Sequence, residues 1–308
     1  MGAYIIRRLG QAIIVLFGIS VIAFVLLYAV PADPARIIAG PHAPASVVAQ
    51  IRKDLGLNLP VYQQYLHYLW HLLHGNLGTS YIYHRPVINM IGERMGPTAE
   101  LAVGCWIAEL LFGIPLGIYT ARRANSKRDY IVSALALVGI SIPVYWLGLL
   151  LLVVFGFKIQ IFPIGGFGGG AIQYLVLPAV TYGITGAAYY TRLLKSSMLD
   201  VMNQDYVRTA RAKGASENRI IWRHVMRNAL IPVVTYAGID VGYLLAGVVL
   251  IEETFNWNGL GMLAYQSIQN QDIPVIMGTV LLLAVFVVIF NLLVDIAYGF
   301  LDPRIRYD

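Results

Sequence analysis

The chain has 308 residues, of which 58% are hydrophobic and only 12% charged, with a formal net charge of +6. An average soluble domain carries about 25% charged residues, so this composition excludes an ordinary soluble protein and indicates a polytopic membrane protein. A positive charge also fits a nucleic-acid-binding protein, but no basic face with interleaved aromatic residues is set up for that role. The single cysteine, Cys105, lies in an apolar segment, which excludes an intrachain disulfide and a thiolate metal cluster.

The N-terminal segment begins with a short cationic stretch, residues 4–8, followed by a nearly continuous apolar run over residues 9–30. About 20 apolar residues cross the hydrocarbon core of a bilayer, so this run predicts the first transmembrane helix. A cleaved signal peptide is the alternative. Its apolar core is usually about 7 to 15 residues long, so we interpret residues 1–30 as a retained anchor helix.

Residues 31–96 are amphipathic and rich in aromatic residues, and they predict a large helical extracytoplasmic segment. Helices are expected over residues 46–55, with Ser46 as the N-cap, and over residues 61–74. The second helix carries an apolar stripe suited to the membrane or to neighbouring spans: Tyr65, Leu69 and Leu72.

The helix predicted at residues 61–74 also carries three histidines on one face: His67, His71 and His74. Histidines one turn apart can bind zinc. No carboxylate lies near them in the sequence, so we favour interfacial histidines without a metal ion.

Residues 97–308 predict a permease-like core of five further transmembrane helices. The predicted spans are residues 97–119, 130–155, 174–194, 231–251 and 273–301. External loops are expected at residues 156–173 and 252–272, the second of them irregular. Most of the 22 lysines and arginines then fall in segments on the cytoplasmic side, which predicts that both termini are cytoplasmic.

The longest polar, cationic stretch between spans is the predicted cytoplasmic loop at residues 195–230. Its residues 208–213 favour a helix, Gly214 suits a left-handed turn, and Ser216 can cap a second helix running towards Arg227. Two short helices joined by a glycine turn would form a rigid knob at the membrane surface. The alternative is a solvated loop whose basic residues contact anionic lipids.

The residue order in this loop resembles the EAA loop of the membrane subunits of bacterial ABC importers. The resemblance rests on Arg208-Thr209-Ala210, then Gly214, then an apolar stretch ending at Pro232. Arg208 stands in place of the usual glutamate and Thr209 in place of the first alanine. Both substitutions are usual in the dipeptide and oligopeptide branch of that family.

Other stretches resemble the B-type permease subunits of the same branch. They are residues 55–60 leading to 75–80, residues 252–261, and the C-terminal residues 295–304. Asn76 stands where aspartate is common, and Asn258 where proline is usual. The resemblance covers essentially the whole chain, so the chain is identified as similar to a peptide-type ABC importer permease.

This resemblance implies an all-α polytopic protein of the bacterial inner or plasma membrane, with the six-helix fold of type I ABC importer permeases. It implies a C-type partner permease, two cytoplasmic ATPase domains and an external substrate-binding protein, with no cofactor and no metal ion. The implied cargo is dipeptides or oligopeptides. Relatives also carry nickel complexes, glutathione or haem, so the fold does not fix the cargo.

The resemblance also implies roles for two sets of residues. The residues expected to contact the ATPases are Arg208, Thr209, Ala210, Arg211, Lys213, Gly214 and Glu217. Among these, Arg211, Lys213 and Glu217 are expected to pair with charges on the ATPase. The residues expected to face the external binding protein are Glu252, Phe255, Trp257 and Gly259.

The sequence contains neither an ATP-binding Gly-x-x-x-x-Gly-Lys-Ser/Thr motif nor a catalytic constellation, so we expect no enzymatic activity from this chain alone. Its energy source must be a partner ATPase or, as the alternative, an ion gradient. A gradient-driven transporter would use intramembrane carboxylates, for which Glu109, Asp240 and Asp295 qualify. A membrane enzyme and a passive channel are weaker alternatives.

Asp240, Tyr236 and Glu109 are the candidates for the wall of a translocation path. Asp240 is expected near the middle of the membrane. It has two open interpretations, a polar wall of the path or a hydrogen-bonded partner between helices.

Overall fold

The protein is all-helical in a computed structural model, which describes residues 2–29, 33–40 and 42–301. These described residues form a single isolated bridge, between Thr79 and Pro86, and no β-strand. Because the description ends at residue 301, the predicted C-terminal stretch 295–304 lies partly outside it. The α-helices are α1 (Gly2–Ala29), α2 (Pro34–Ala39), α3 (Ala45–Asp54), α4 (Val61–Leu73), α5 (Val87–Arg122), α6 (Lys127–Ser141), α7 (Val144–Leu151), α8 (Ile172–Met202), α9 (Asp205–Ala212), α10 (Glu217–Arg219), α11 (Met226–Gly247), α12 (Val249–Thr254), α13 (Leu260–Gln269) and α14 (Ile273–Leu301).

The all-α polytopic class predicted from the sequence is confirmed. Segments long and apolar enough to cross a membrane are Ile6–Leu27, Val87–Arg122, Glu217–Leu245 and Ile273–Val294. The bent pair α6 and α7 adds a fifth if it counts as one span. Helix α8, the predicted fourth span, is less apolar because much of it is built from Gly, Ala, Thr and Tyr. A total of six spans therefore stays a prediction.

Helices α5 and α8 form the centre of the bundle and pack closely through small residues. A Cβ atom at Gly113 would lie 2.5 Å from the Cβ atom of Tyr190, and one at Gly183 would lie 2.5 Å from that of Ala108. Small residues let helix backbones approach closely in a membrane, where van der Waals packing holds helices together. This position explains why α8 needs few aliphatic side chains.

Helix α5 begins at Val87, so the predicted boundary at residues 96/97 falls inside a continuous helix. The extra turns are held by a buried cluster that includes Val87, Ile91 and Leu263. Pro97 removes a single backbone hydrogen bond, and this packing offsets the loss. The segment after the first span and the transmembrane core therefore share one rigid element.

The predicted third span, residues 130–155, is not one straight helix. Helices α6 and α7 meet at an angle of 100°, and a π-helical stretch, Leu152–Lys158, follows α7. Ile142 takes an extended conformation with ψ 126, because the ring of Pro143 disfavours a helical residue before it. The sequence prediction placed Pro143 inside the span without this break.

The predicted helices at residues 46–55 and 61–74 are present as α3 and α4. The predicted Ser46 cap is wrong, because α3 begins one residue earlier and Pro44 occupies the N-cap position without a side-chain hydrogen bond. The loop predicted to be irregular at residues 252–272 is mostly helical and contains the second half of α12 and all of α13.

Candidate functional sites

The predicted coupling loop, residues 195–230, contains a helical knob, which we define as residues 205–219. After α9 ends, Gly214 takes φ +79, a left-handed conformation that glycine adopts without a Cβ clash. The backbone amide of Ala215 donates to the carbonyl oxygen of Ala210 at 3.2 Å and closes the turn. The glycine turn predicted from the sequence is confirmed.

The second helix of the knob is continuous with the fifth span. Helix α10 begins after Ser216, whose side chain makes no capping hydrogen bond. A π-helical stretch, Ile220–Val225, joins α10 to α11, so that Glu217–Leu245 forms one helical segment of membrane length. A force applied to the knob would therefore reach the membrane core through this helix.

Buried side chains anchor the knob to the bundle, and its polar residues lie outside. Val207, Ile220 and Ile221 are buried in a cluster with Leu194 and Met198 of α8. Ala210 is partly buried. The exposed predicted coupling residues are Arg208, Thr209, Arg211, Lys213, Gly214 and Glu217. The knob thus presents a cationic surface on a rigid base.

Two of the charged residues predicted to pair with the ATPase contact each other within this chain, and their pairing with the ATPase stays a prediction. The guanidinium Nε of Arg211 lies 2.8 Å from Glu217 Oε1, which links α9 to α10 across the glycine turn. Arg208 makes a looser contact with Asp205, at 3.8 Å. The sequence hypothesis overlooked the internal pair because the two partners come together only when the turn has formed.

A buried polar cluster joins α5, α8 and α11 at the predicted path residues. The hydroxyl of Tyr190 donates to Asp240 Oδ2 at 2.8 Å, and its ring contacts that of Tyr236 with centroids 5.1 Å apart. Glu109 and Asp240 are 2% and 7% exposed. Glu109 packs against Gly186, where a Cβ atom would lie 1.6 Å from the carboxylate Oε1.

This geometry bears on the two interpretations of Asp240. Its hydrogen bond to Tyr190 and its burial support the interpretation as a partner between helices, and a role in the cargo path stays a prediction. Within the described residues, no three His, Cys, Asp or Glu side chains are placed to hold a metal ion. His67 and His71 are exposed on α4, and His74 is exposed at its C-cap.

The residues predicted to face an external binding protein are buried within this chain. Phe255 is 2% exposed, and Glu252 and Trp257 are fully buried. Gly259 is also buried, and a Cβ atom there would lie 2.1 Å from Glu252 Oε1. The prediction that these side chains present a binding surface is therefore wrong, because the segment folds inward onto α5.

Hydrogen bonds to α5 explain this inward fold. The carboxylate of Glu252 accepts from Thr98 Oγ1 at 2.7 Å and from the amide of Met262 at 2.9 Å. Thr98 Oγ1 also accepts from the amide of Leu260, and the indole of Trp257 donates to the Pro97 carbonyl at 2.8 Å. Glu252 thus satisfies free amides at the start of α13, where a negative charge is favourable.

The electrostatics of this site reflect burial. Burial raises the pKa of Glu252 above that of an ordinary glutamate, and the hydrogen bonds from Thr98 and from the backbone amides of Met262 and Gly261 only partly offset this effect. Glu252, Thr98 and the backbone amides from which they accept hydrogen bonds form one site. We name this site the Glu252 lock. Thr98 gave no sequence signal of its own, since it lies within an apolar span.

A second lock, also missed from the sequence, holds residues 78–86 against the start of α14. Asp272 accepts hydrogen bonds from the Ser80 hydroxyl and, at 3.0 Å, from the amide of Tyr81. Asp272 is fully buried. An acidic residue just before a helix that begins Ile273-Pro274 is a helix-start signal, and this signal could have identified Asp272.

The chain matches two families by sequence. Residues 113–307 match the family described as "Binding-protein-dependent transport system inner membrane component", and residues 1–102 match its N-terminal family. The chain is 41% identical over 304 residues to "Glutathione transport system permease protein GsiC" of Salmonella choleraesuis and 40% identical to that of Escherichia coli K12. Each alignment covers 99% of both chains.

A solved structure agrees on the fold. The chain is similar to a subunit of the MetNI methionine ABC transporter in an inward facing conformation, with a TM-score of 0.55 and 19% identity. The alignment covers 68% of this chain and 94% of that one. At this identity the likeness supports the fold alone.

The helical bundle and these matches define the class of protein, a membrane-embedded permease of an ABC importer. The chain belongs to the binding-protein-dependent transport system inner membrane component family. It is the membrane subunit and not the ATPase. A permease of this class works with a second permease, with ATPase subunits and with a substrate-binding protein. The family predicted from the sequence is confirmed.

Proposed function

We propose that this permease imports short peptides delivered by an external binding protein, with glutathione, itself a tripeptide, as the first cargo to test. The supporting observation is the 41% identity over nearly the whole chain to a permease named for glutathione transport. Arg208 and Thr209, which resemble the peptide branch of the family, favour the same class of cargo.

The cargo is tested with the complete transporter and its binding protein in proteoliposomes. We expect uptake of labelled glutathione or of a labelled dipeptide, and competition between the two. Uptake of a nickel complex or of haem, with no peptide uptake and no competition by peptides, would overturn the peptide assignment and leave the permease assignment intact.

The energy for transport comes from ATP hydrolysis in partner subunits, because the sequence holds no ATP-binding motif of its own. We expect uptake to require ATP inside the liposomes and to continue after proton and sodium gradients are collapsed. Uptake that follows a gradient and ignores ATP would favour the secondary transporter.

Coupling to the ATPases is assigned to the loop at residues 195–230. What supports this proposal is the exposed knob together with its helical continuity into the fifth span. A knob that only touched lipid headgroups would not need that continuity. Cysteine cross-linking from the Lys213→Cys variant to the ATPases tests the contact. An absence of cross-links to the ATPases in the assembled complex would count against it.

The proposed orientation places both termini and the coupling loop in the cytoplasm. It rests on the excess of lysine and arginine in those segments. A membrane-impermeant thiol reagent should label the Lys213→Cys variant in inverted vesicles and not in intact cells. The reverse pattern would invert the topology.

The polar cluster around Asp240 is proposed to brace α8 against α11. The Tyr190 hydrogen bond supports this role. Tyr190→Phe removes the donor and should lower the stability of the complex by about 1 kcal/mol while peptide selectivity stays unchanged. Altered cargo selectivity in a complex of unchanged stability would instead place Asp240 in the path.

A further inference from the structure

Helix α4 packs against the C-terminal half of α1 through its tyrosines. The hydroxyls of Tyr65 and Ser20 share a hydrogen bond of 2.8 Å. The ring of Tyr65 lies 5.3 Å from that of Phe24 and 6.3 Å from that of Phe17, both in edge contacts. One side of α4 is therefore fixed to a transmembrane helix.

The depth of this contact follows from the length of the span. Ile6–Leu27 contains 22 residues, about 33 Å of helix, which matches a hydrocarbon core of about 30 Å. Ser20 lies about 10 Å along the helix from Leu27, so the Tyr65 hydroxyl lies inside the hydrocarbon region. There the Ser20 hydroxyl donates to the Phe17 carbonyl at 2.7 Å and also bonds to the Tyr65 hydroxyl, so both hydroxyls have partners, as polar groups in lipid must.

The neighbouring side of α4 carries a second apolar stripe that stays largely exposed in the described part of the chain. Tyr62, Leu66, Trp70 and Leu73 are 64%, 56%, 65% and 75% exposed. Their spacing places them on one face of the helix. The arc next to the stripe, on the side away from α1, is polar and carries Gln63, His67 and His71, followed by His74 at the C-cap. This division is typical of a helix that lies at a membrane interface.

A groove continues this stripe onto α1. It has a volume of about 510 Å³, and its lining is almost wholly apolar: Val21, Phe24, Val25, Val61, Tyr62 and Tyr65. This volume lies within the usual range of ligand sites, about 300 to 1,000 Å³. The groove runs between a transmembrane helix and an interfacial helix, so it opens where acyl chains lie.

We propose that α4 is embedded in the outer leaflet and that the groove between α1 and α4 binds an acyl chain of a membrane lipid. The stripe is continuous with exposed side chains of the spanning segment, Ile22, Val25 and Leu26, which face the hydrocarbon at the same depth. If water surrounded α4, this contiguous apolar patch would be exposed to solvent, which is unfavourable. That this leaflet is the outer one rests on the proposed orientation. The depth of α4 in the membrane does not depend on that orientation.

Residues 31–96, which the sequence predicts as extracytoplasmic, would then lie partly within the membrane. The polar arc of α4 would face water outside the membrane, while the stripe would lie among lipid chains. The first span and α4 would then form one lipid-facing unit.

Fluorescence quenching in the complete transporter, reconstituted in liposomes, tests the stripe. Single cysteines in a Cys105→Ala background carry a polarity-sensitive fluorophore, at Leu66→Cys and Leu73→Cys in the stripe and at His67→Cys and His71→Cys in the polar arc. Phosphatidylcholine spin-labelled in its acyl chain should quench the stripe positions at least twofold more than the polar arc. Aqueous iodide should show the opposite order.

Two outcomes overturn the proposal. Equal iodide quenching at both sets of positions would place α4 in water. Protection of the stripe from both quenchers would mean that a partner protein covers it. ATP-dependent uptake by each labelled complex serves as the check that the fold survives, and a failure of uptake in the unlabelled complex would bear on the proposed function alone.

Mass spectrometry of the complex extracted in mild detergent tests the groove. Val21→Trp fills the groove and contacts the stripe only at Tyr62, which belongs to both, and it should remove one retained lipid per copy of this chain. Val15→Trp is the matched control, since Val15 is 48% exposed on the same helix and does not line the groove. An unchanged lipid count in Val21→Trp, or an equal loss in both variants, would overturn the groove site.

Discussion

The two segments that flank the fifth span are both rich in functional signals, yet they are built in opposite ways. On one side, the knob at residues 205–219 is anchored by buried Val207 and by Ile220 and Ile221 just after it, and it keeps its charged residues in water. On the other, residues 249–272 bury a carboxylate, a phenylalanine and a tryptophan against α5. The first segment is a surface, and the second is part of the core.

This difference shows how each segment can respond to a partner. The C-terminal end of the knob continues into the core as one helical segment, Glu217–Leu245, so it can transmit a push. The Glu252 lock holds residues 249–272 to Thr98 and Pro97 of α5, so that segment moves only with α5. Between the buried positions 252 and 259, the exposed residues are Glu253, Asn256 and Asn258.

A matched pair of glycine substitutions gives the largest expected difference between the segments. Gly259→Ala would force a Cβ atom to within 2.1 Å of Glu252 Oε1, so we expect a stability loss of about 3 kcal/mol from overpacking and broken hydrogen bonds. Gly214→Ala meets nothing within 4 Å and costs only the left-handed strain, about 1 to 2 kcal/mol. Thermal unfolding of the purified complex measures both losses.

Equal losses for the two glycine variants would contradict the comparison. Retention of the wild-type unfolding temperature in Gly259→Ala would show that Glu252 can move away at little cost. In that case the segment at residues 249–272 would not be locked to α5.

Truncation of the lock itself should have the next largest effect. Glu252→Ala leaves the Met262 amide and Thr98 without an acceptor, so we expect about 2 to 3 kcal/mol of destabilisation. Glu252→Gln keeps an acceptor and should lose less. The measurement is denaturant unfolding of each variant in the same detergent.

The pH dependence separates the charge of Glu252 from its shape. Its pKa is raised in the folded protein, so its contribution to stability is present at low pH and is lost as pH rises through the folded pKa. Glu252→Gln removes this contribution, so its unfolding temperature should fall less than that of the wild type as pH rises above the ordinary glutamate range. Parallel pH profiles for the two proteins would count against a raised pKa.

Substitution of Ala210 on the knob should affect coupling and leave stability unchanged. Ala210→Trp places a large side chain where close approach to an ATPase is expected, so we predict at least a tenfold loss of ATPase co-purification with an unchanged unfolding temperature. Ala212→Trp is the control, because that exposed residue lies on a different face of α9. Wild-type co-purification of Ala210→Trp would remove the knob from the coupling interface.

Local patterns made the spans and the glycine turn predictable. The length of an apolar run and the need for φ above zero at Gly214 depend on nearby residues only, and the predicted helix at residues 273–301 has the observed bounds. The orientation of residues 252–261 depends on Thr98, which lies 154 residues away from Glu252. An aromatic and glycine-rich stretch has the same sequence pattern whether it packs inward or faces a partner.

The break at Pro143 and the internal ion pair show a similar limit. A proline inside an apolar run indicates a kink or an end, but it does not specify a bend of 100°. The direction of α7 after the bend also depends on its packing against α8 and α12. Arg211 and Glu217 lie on separate predicted helices, and their pairing depends on the geometry of the turn. Both features are tertiary consequences that no local pattern specifies.

The smallest expected effect concerns the Arg211–Glu217 pair, and it tests whether the knob is a self-contained unit. Both side chains are well exposed, at 45% and 57%, so water and salt screen their attraction, and Arg211→Ala should leave the unfolding temperature unchanged. Arg211→Glu places two like charges across the glycine turn and should reduce coupled ATP hydrolysis about twofold, and the exchanged variant Arg211→Glu with Glu217→Arg should restore it. Restoration would assign the pair to the internal geometry of the knob. A loss of ATPase association in Arg211→Glu that the exchange does not rescue would mean that Arg211 binds the ATPase directly, because only an external partner would distinguish the two orders of the same charges.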